Sequence, residues 1–404
     1  DASGLNLASS ADAAVDASGL NLASSADAAV DASGLNLAPS TDEGALLLYT
    51  SGTTGKPKGA LLTQGNLLAQ TAVLGQAWGM SSADRLVHVL PLHHLHGVVV
   101  SLLTTLQAGG TVRMMQRFEA VAVWNTLAGA TVFMGVPTMY HRLLEAFDGA
   151  SGEVRARWAA AAKALRLATS GSAALPVALA ERWAAVTGLS PLERYGMTEI
   201  GMATSNPLEG ERRPGTVGRP LPGVGLRCVA EGGGDAAPGE AGEIWVRGPS
   251  VFAGYVGRDE ATQASFTGAW FRTGDVAVIE AGGYVRLLGR ASVDILKSAG
   301  YKLSAVEIEE ALRAHGSVDD AAVVGLPDEA LGERVVACVV ARPDVAEAGL
   351  GAELAAHCRA RLAPYKVPRT FVVVGELPRN ALGKVQKPEL VRRLLAATSP
   401  EEMP

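Results

Sequence analysis

Residues 49–59 read YTSGTTGKPKG. This stretch follows the apolar run 46–49 and precedes a helical period over 66–78, with Leu67, Val73, Leu74 and Trp78 on related faces. Small residues directly after a buried strand let backbone N–H groups close around phosphate oxygens. The hydroxyls of Thr50, Ser51, Thr53 and Thr54 and the ammonium groups of Lys56 and Lys58 add donors and positive charge. It is not a Walker loop, because Gly52 and Gly55 enclose only two residues and Pro57, not Ser or Thr, follows Lys56. The segment predicts a phosphate site.

Outward from this loop, apolar runs alternate with helical periods. Strands are predicted at 86–90, 111–115, 131–136 and 165–168, a buried helix at 98–106, and helices near 118–128, 138–147 and 176–187. Such alternation predicts an α/β fold in which a largely parallel sheet is covered on both faces. After about residue 214 short strands and many glycines predict a β-rich subdomain reaching to about 290. A mobile α+β domain is expected over 291–404, so the large domain spans 41–290. In the tail a helix is expected to start at Ser304, with Glu307 completing a capping box and Ile308, Ala311, Leu312 and His315 at helical spacing. Strands near 321–325, 335–341 and 371–374 follow.

The 404 residues carry 48% hydrophobic and 19% charged side chains, enough for a large buried core and for more than one domain. The net charge is −6, which disfavours a nucleic-acid coat or an anionic-membrane binder. Cys228, Cys338 and Cys358 are sparse and far apart, so a reducing compartment is expected rather than a disulfide scaffold. The longest greasy stretch, 98–106, is too short to span a bilayer. Residues 1–15 recur unchanged at 16–30, and the first eight return at 31–38. This repeat has few large apolar side chains and no aromatics, and reads as a disordered leader over 1–40.

Further motifs follow in order: PLHH at 91–94, YGMTE at 195–199, GTVGRPLPG at 215–223 and GEIWVRG at 242–248. FRTGD at 271–275, Gly289-Arg290, KSAGYK at 297–302 and PRNALGK at 378–384 complete them. Together with the phosphate loop, this series resembles the adenylate-forming superfamily of acyl-CoA synthetases, luciferases and peptide-synthetase adenylation domains, over roughly 42–395. The resemblance implies an enzyme that joins a carboxylate to the α-phosphate of ATP, releases pyrophosphate and passes the acyl group to a thiol. It implies that Glu199 holds Mg²⁺, Thr198 contacts the α-phosphate, Tyr195 stacks on adenine, and Asp275, helped by Arg290, accepts the ribose hydroxyls. Lys384 would neutralise the α-phosphate and the attacking carboxylate, where cations act as charge develops. Gly300, Tyr301 and Lys302 would contact the arm of coenzyme A, although Ala299 stands where a glycine is usual. Asp294 would be the hinge of the C-terminal domain, a position expected to make few contacts.

His93, His94 and His96 suggest zinc, but no Cys, Asp or Glu stands at ligand spacing. The resemblance instead makes His94 a wall between carboxylate and nucleotide, with residues 95–97 lining the acyl pocket. GVPTMYHRL at 135–143, SGSAALP at 170–176 and ERYGMTEIGM at 193–202 resemble the malonyl-CoA synthetase branch. The implied products are malonyl-CoA or methylmalonyl-CoA. A dicarboxylic substrate leaves a second carboxylate that requires a cation, for which Arg142 is the first candidate, then Arg194 and Ser172, with His96 beside them. The alternatives are a ligase for another small acid, a carrier-protein adenylation enzyme, or an inactive nucleotide-binding fragment. The stretch before the phosphate loop is shorter than the family's, which predicts an uncovered sheet edge. The expected partners are the acid, ATP and CoA, without nucleic acid or membrane. A monomer or weak oligomer is expected, in the cytoplasm or the mitochondrial matrix.

Overall fold

Strands Gly44–Ser51 and Pro57–Thr63 pair antiparallel, with Thr50 opposite Lys58. The glycine-rich motif therefore joins two strands of a hairpin instead of leading straight from strand to helix. This computed structural model describes residues 40–51, 57–379 and 384–398, so the repeat and residues 52–56 lie outside the described residues. The first strand is an edge strand and not a buried one: Leu48 is buried while Leu47 and Tyr49 are 42% and 69% exposed.

The second strand runs into helix Gln64–Ala77 through a capping box. Thr63 Oγ1 accepts from the Asn66 N–H at 3.2 Å, and Asn66 Oδ1 accepts from the Thr63 N–H at 2.9 Å. Two otherwise orphaned donors are satisfied at the helix start. Asn66 Nδ2 also donates to the carbonyls of Pro249 and Val251 at 2.8 and 2.9 Å, tying this turn to the β-rich part.

The central sheet has seven strands in the order Thr111–Met114, Arg85–His88, Val132–Gly135, Leu167–Ser170, Leu192–Met197, Gly201–Ser205 and Arg219–Pro220. The first five are parallel and the last two are antiparallel additions. Helices Ala120–Thr126, Pro137–Gly149, Gly152–Ala162 and Val177–Thr187 form the crossovers, the third of which the sequence reading did not predict. An aromatic cluster of Trp124, Phe133, Tyr140, Trp158 and Trp183 packs beneath them. Such ring pairs add about 0.5–1.5 kcal/mol each beyond burial alone. The expected buried helix at 98–106 is a π-helix, His96–Leu103, continued by Thr104–Gln107. Its first turn presses on the PLHH segment so closely that a Cβ on Gly97 would strike the Pro91 carbonyl.

Strands Gly225–Val229, Ala241–Arg247, Phe266–Thr267, Trp270–Ile279 and Val285–Arg290 form the antiparallel β-rich sheet. The smaller C-terminal domain packs helices Ala305–Arg313, Leu350–Arg361 and Lys387–Thr398 around a sheet dominated by the hairpin of Val318–Asp328 and Gly332–Ala341. Ser304 caps its helix as expected, Oγ accepting from the Glu307 N–H at 3.1 Å. The capping box is incomplete, however, because Glu307 reaches Lys366 Nζ at 2.7 Å instead. That helix ends at Arg313, so His315 lies beyond it.

Candidate active site

Strand Leu192–Met197 carries the centre of the site. It is registered on Leu167–Ser170 only through Thr169–Leu192 and Ser170–Glu193, after which the two chains diverge. Arg194 lies in the gap, 4% exposed, its guanidinium against Gly171, where a Cβ would clash. Its Nε and Nη2 have no hydrogen-bond partner among the described residues. Burial lowers its pKa to about 10, which leaves it charged at neutral pH.

Around it lie further unused donors and acceptors. His96 is 7% exposed; its Nδ1 lies 3.4 Å from Ser172 Oγ and its Nε2 is unpartnered among the described residues. Burial, then the neighbouring Arg194 charge, holds its pKa well below the ordinary value, so the ring is neutral. The hydroxyls of Thr169 and Ser170 are buried without described partners as well. Ser172 has φ of 68°, a left-handed conformation that costs a non-glycine residue about 1–3 kcal/mol. Buried polar groups are normally satisfied, so this concentration marks a place prepared for a polar, anionic group. Arg142, the first candidate from sequence, is exposed on helix Pro137–Gly149. Of these two arginines, only the one on the β-strand is buried.

The same strand continues into the nucleotide motif. Tyr195 donates its hydroxyl to Asp275 Oδ2 at 2.7 Å, and Arg290 Nε reaches Asp275 Oδ1 at 3.0 Å. The latter two face each other across paired strands Trp270–Ile279 and Val285–Arg290. Burial, then the Asp275 charge, raises the Tyr195 pKa well above its ordinary value, keeping the phenol protonated. Glu199 is 4% exposed and accepts from Tyr255 OH at 2.9 Å and from Thr50 Oγ1 at 3.3 Å. Lys58 Nζ lies 5.0 Å from the centre of the Tyr255 ring. The loop after Glu199 is held by Gln70, whose Oε1 accepts the Met202 N–H at 2.6 Å. Thr198 is partly buried beside it. Tyr255 and Gln70 were missed from sequence: each meets the site only through contacts 56 and 132 residues away.

One carboxylate flanked by hydroxyls, near a predicted phosphate loop, fits a magnesium ion that takes its other ligands from phosphates and water. No group of three or more His, Cys, Asp or Glu side chains suited to a metal occurs among the described residues. The rings of His93 and His94 lie 4.1 Å apart, and His94 is half-buried. Ser51 and Gly52 to Lys56 of the phosphate loop are not described at side-chain level.

On the C-terminal domain, Tyr301 and Lys302 begin a strand after the turn Ala299-Gly300. Ala299 has φ of 50° and Gly300 81°, so the alanine occupies a left-handed position better suited to glycine. Tyr301 stacks on Tyr365 at 4.5 Å, and Lys302 pairs with Glu231. Asp294 is densely bonded, contrary to the expectation of few contacts. Its Oδ2 accepts from the Arg290 N–H at 2.9 Å, its N–H donates to the Arg290 carbonyl at 2.8 Å, and its Oδ1 meets Lys387 Nζ at 2.5 Å. Lys384 is exposed and directly precedes Val385, which bridges to Arg379, while the Gln386 N–H donates to the Pro378 carbonyl at 2.7 Å.

These motifs, on a large layered domain followed by a small C-terminal one, define an adenylate-forming enzyme fold. Residues 4–256 match the AMP-binding enzyme family and residues 307–384 the AMP-binding enzyme C-terminal domain, and the chain belongs to this family. It is 46% identical over 379 residues to the mouse protein named malonate–CoA ligase ACSF3, mitochondrial, covering 87% of this chain and 64% of that one. It thus spans less than two thirds of that relative's length. The crystal structure of ATP-bound MatB from Rhodopseudomonas palustris is 38% identical, with a TM-score of 0.81 over 89% of this chain and 70% of that one. A malonyl-CoA ligase product complex with methylmalonyl-CoA and AMP is more identical, at 47%, yet has a TM-score of only 0.59 over 84% and 73%. No described helix is long and apolar enough to cross a membrane.

Proposed function

We propose that the chain forms malonyl-CoA or methylmalonyl-CoA from the free dicarboxylic acid, ATP and CoA. The observation that carries this reading is the buried Arg194 with unsatisfied donors, directly preceding the nucleotide motif on the same strand. The malonate-ligase names of the relatives support it.

In this reading the distal carboxylate of the acid binds Arg194, with His96 and Ser172 as neutral neighbours. The geminal arrangement of malonate then directs its other carboxylate towards the α-phosphate. An oxygen of that carboxylate attacks phosphorus, forming the mixed anhydride while the bond to pyrophosphate breaks. Glu199 would hold Mg²⁺, which when bound neutralises phosphate charge. Thr198 and the phosphate loop would orient the triphosphate, and Lys384 would act on charge that builds in the transition state. Asp275 would accept the ribose hydroxyls, with Arg290 beside it and Tyr195 against the adenine. His94 would separate acid from nucleotide. The CoA sulfur, as thiolate, then attacks the carbonyl carbon and AMP leaves, the arm of CoA passing Gly300, Tyr301 and Lys302 with Asp294 as the hinge.

The test is pyrophosphate release by the purified chain with ATP and Mg²⁺, comparing malonate, methylmalonate, acetate and octanoate with and without CoA. Turnover confined to the two dicarboxylates is expected. Equal use of acetate or octanoate would reject the dicarboxylate reading, and no turnover from folded protein would reject the ligase itself.

A further inference from the structure

Lys387 is the first residue of helix Lys387–Thr398 and only 8% exposed. Both facts count against a lysine. The N-terminal end of a helix repels cations, and burial strips an ammonium of its hydration. Two carboxylates outweigh these costs: Asp294 Oδ1 lies 2.5 Å and Glu309 Oε1 2.7 Å from Nζ. Burial alone would lower the pKa of Lys387, but the two acids hold it above the ordinary value.

A buried ion cluster of this kind is often no more stabilising than apolar residues of the same volume, so what it contributes is geometry. Here each partner is committed elsewhere. Glu309 accepts the Val323 N–H at 2.8 Å, fixing helix Ala305–Arg313 to the domain's main hairpin. Asp294 caps the Arg290 N–H at 2.9 Å, and Arg290 in turn pairs with Asp275, which holds Tyr195. The fold makes room for this at Gly289, whose φ is 118° and where a Cβ would strike the side chain of Asp294. A continuous series of polar contacts therefore runs Lys387–Asp294–Arg290–Asp275–Tyr195, from a point three residues after Lys384 to the nucleotide motif.

We infer that Lys387 is a positioning residue for adenylate formation: clamped between Asp294 and Glu309, it ties Lys384, three residues before it, to the segment that carries Arg290. The inference rests on the adenylating role proposed for Lys384. Such a clamp serves only the half-reaction in which Lys384 acts. Thiol transfer, in which Lys384 is given no part, does not depend on it.

The experiment uses the full chain and the variants Lys387→Met, Lys387→Arg and Asp294→Asn. Single-turnover adenylate formation from malonate and ATP is measured separately from thioester formation from prepared malonyl-adenylate and CoA. Lys387→Met is expected to slow adenylation by about a hundredfold, as misplacement of a reacting group by about 1 Å does, and transfer by less than about threefold. Lys387→Arg restores most of the adenylation rate. Asp294→Asn, which leaves Glu309 as partner and does not empty the cluster, shows the same split with a smaller loss. Amide hydrogen exchange on the unliganded chain gives a second readout: Gln386 and Arg290 exchange faster in Lys387→Met than in wild type. Equal losses in both half-reactions, no loss in either, or unchanged exchange at these amides would overturn the inference. If the wild type adenylates no acid, the proposed function fails, and the exchange data alone then decide whether the clamp exists.

Discussion

Replacing Arg194 with methionine separates substrate recognition from fold. In the unliganded chain the guanidinium is buried, with two nitrogens that lack partners among the described residues, so removing it deletes desolvated charge and no hydrogen bond at those nitrogens. Exchanging a buried, uncompensated charge for an apolar side chain of similar length is neutral or stabilising. The apolar chain still fits against Gly171, where the guanidinium now leaves no room for a Cβ. Malonate tells the opposite story. Two charge-assisted hydrogen bonds to its distal carboxylate contribute about 1.5–3 kcal/mol each, so kcat/KM should fall by about 10² to 10⁴. Propionate, with a methyl group in place of that carboxylate, gains nothing from Arg194 and should be used as well or better by the variant. The assays are pyrophosphate release against both acids and thermal unfolding of the free protein. A similar loss for malonate and propionate, or a Tm several degrees below wild type, would mean that Arg194 holds the fold and not the substrate.

Three other expectations follow from the geometry. Lys384→Ala should slow adenylate formation by about 10² to 10³ while sparing thioester formation from prepared adenylate, measured by rapid quench; an equal effect on both would remove its role. Tyr255→Phe removes the hydroxyl that Glu199 accepts at 2.9 Å but keeps the ring beneath Lys58, so the apparent requirement for Mg²⁺ should rise by about five- to tenfold; an unchanged Mg²⁺ titration would refute the link. Glu193 faces the Gly215 N–H, Glu310 and Arg286, and burial pushes its pKa from 4.5 up to about 8. Between those values the unfolded state releases a proton that the folded state retains, so stability falls as pH rises and levels off above about 8. Glu193→Gln should flatten that slope in denaturant titrations from pH 5 to 8, and a slope identical to wild type would exclude Glu193 as its source.

The motifs of the candidate site were legible because they are local. The glycine-rich loop, YGMTE, FRTGD and PRNALGK each concentrate their chemistry within a few residues, and the strand–helix alternation that carries them has a period the eye can follow. The same alternation made the parallel sheet legible, since its buried strands are continuous apolar runs. Errors arose where a residue's neighbours come from elsewhere. Arg142 lies in the helix predicted near 138–147, but nothing in helical spacing says which face of that helix meets solvent. The capping pattern at Ser304 is local and its hydroxyl behaves as expected, yet Glu307 is drawn away by Lys366, 59 residues later.

What the sequence by itself determined is therefore the order of elements, the chemical types at each motif and the family to which they belong. Tertiary structure alone decided which charges are buried together. Arg194 becomes a candidate carboxylate site only because two parallel strands diverge around it, and Tyr255 only because its strand pairs with the second strand of the phosphate-loop hairpin. Lys387 and Asp294, 93 residues apart, form an ion pair that neither local propensity nor spacing encodes. The physical reason is the same in each case. Hydrophobic periodicity acts over one turn or one strand, whereas desolvation and charge pairing depend on every chain segment that excludes water from the same few ångströms.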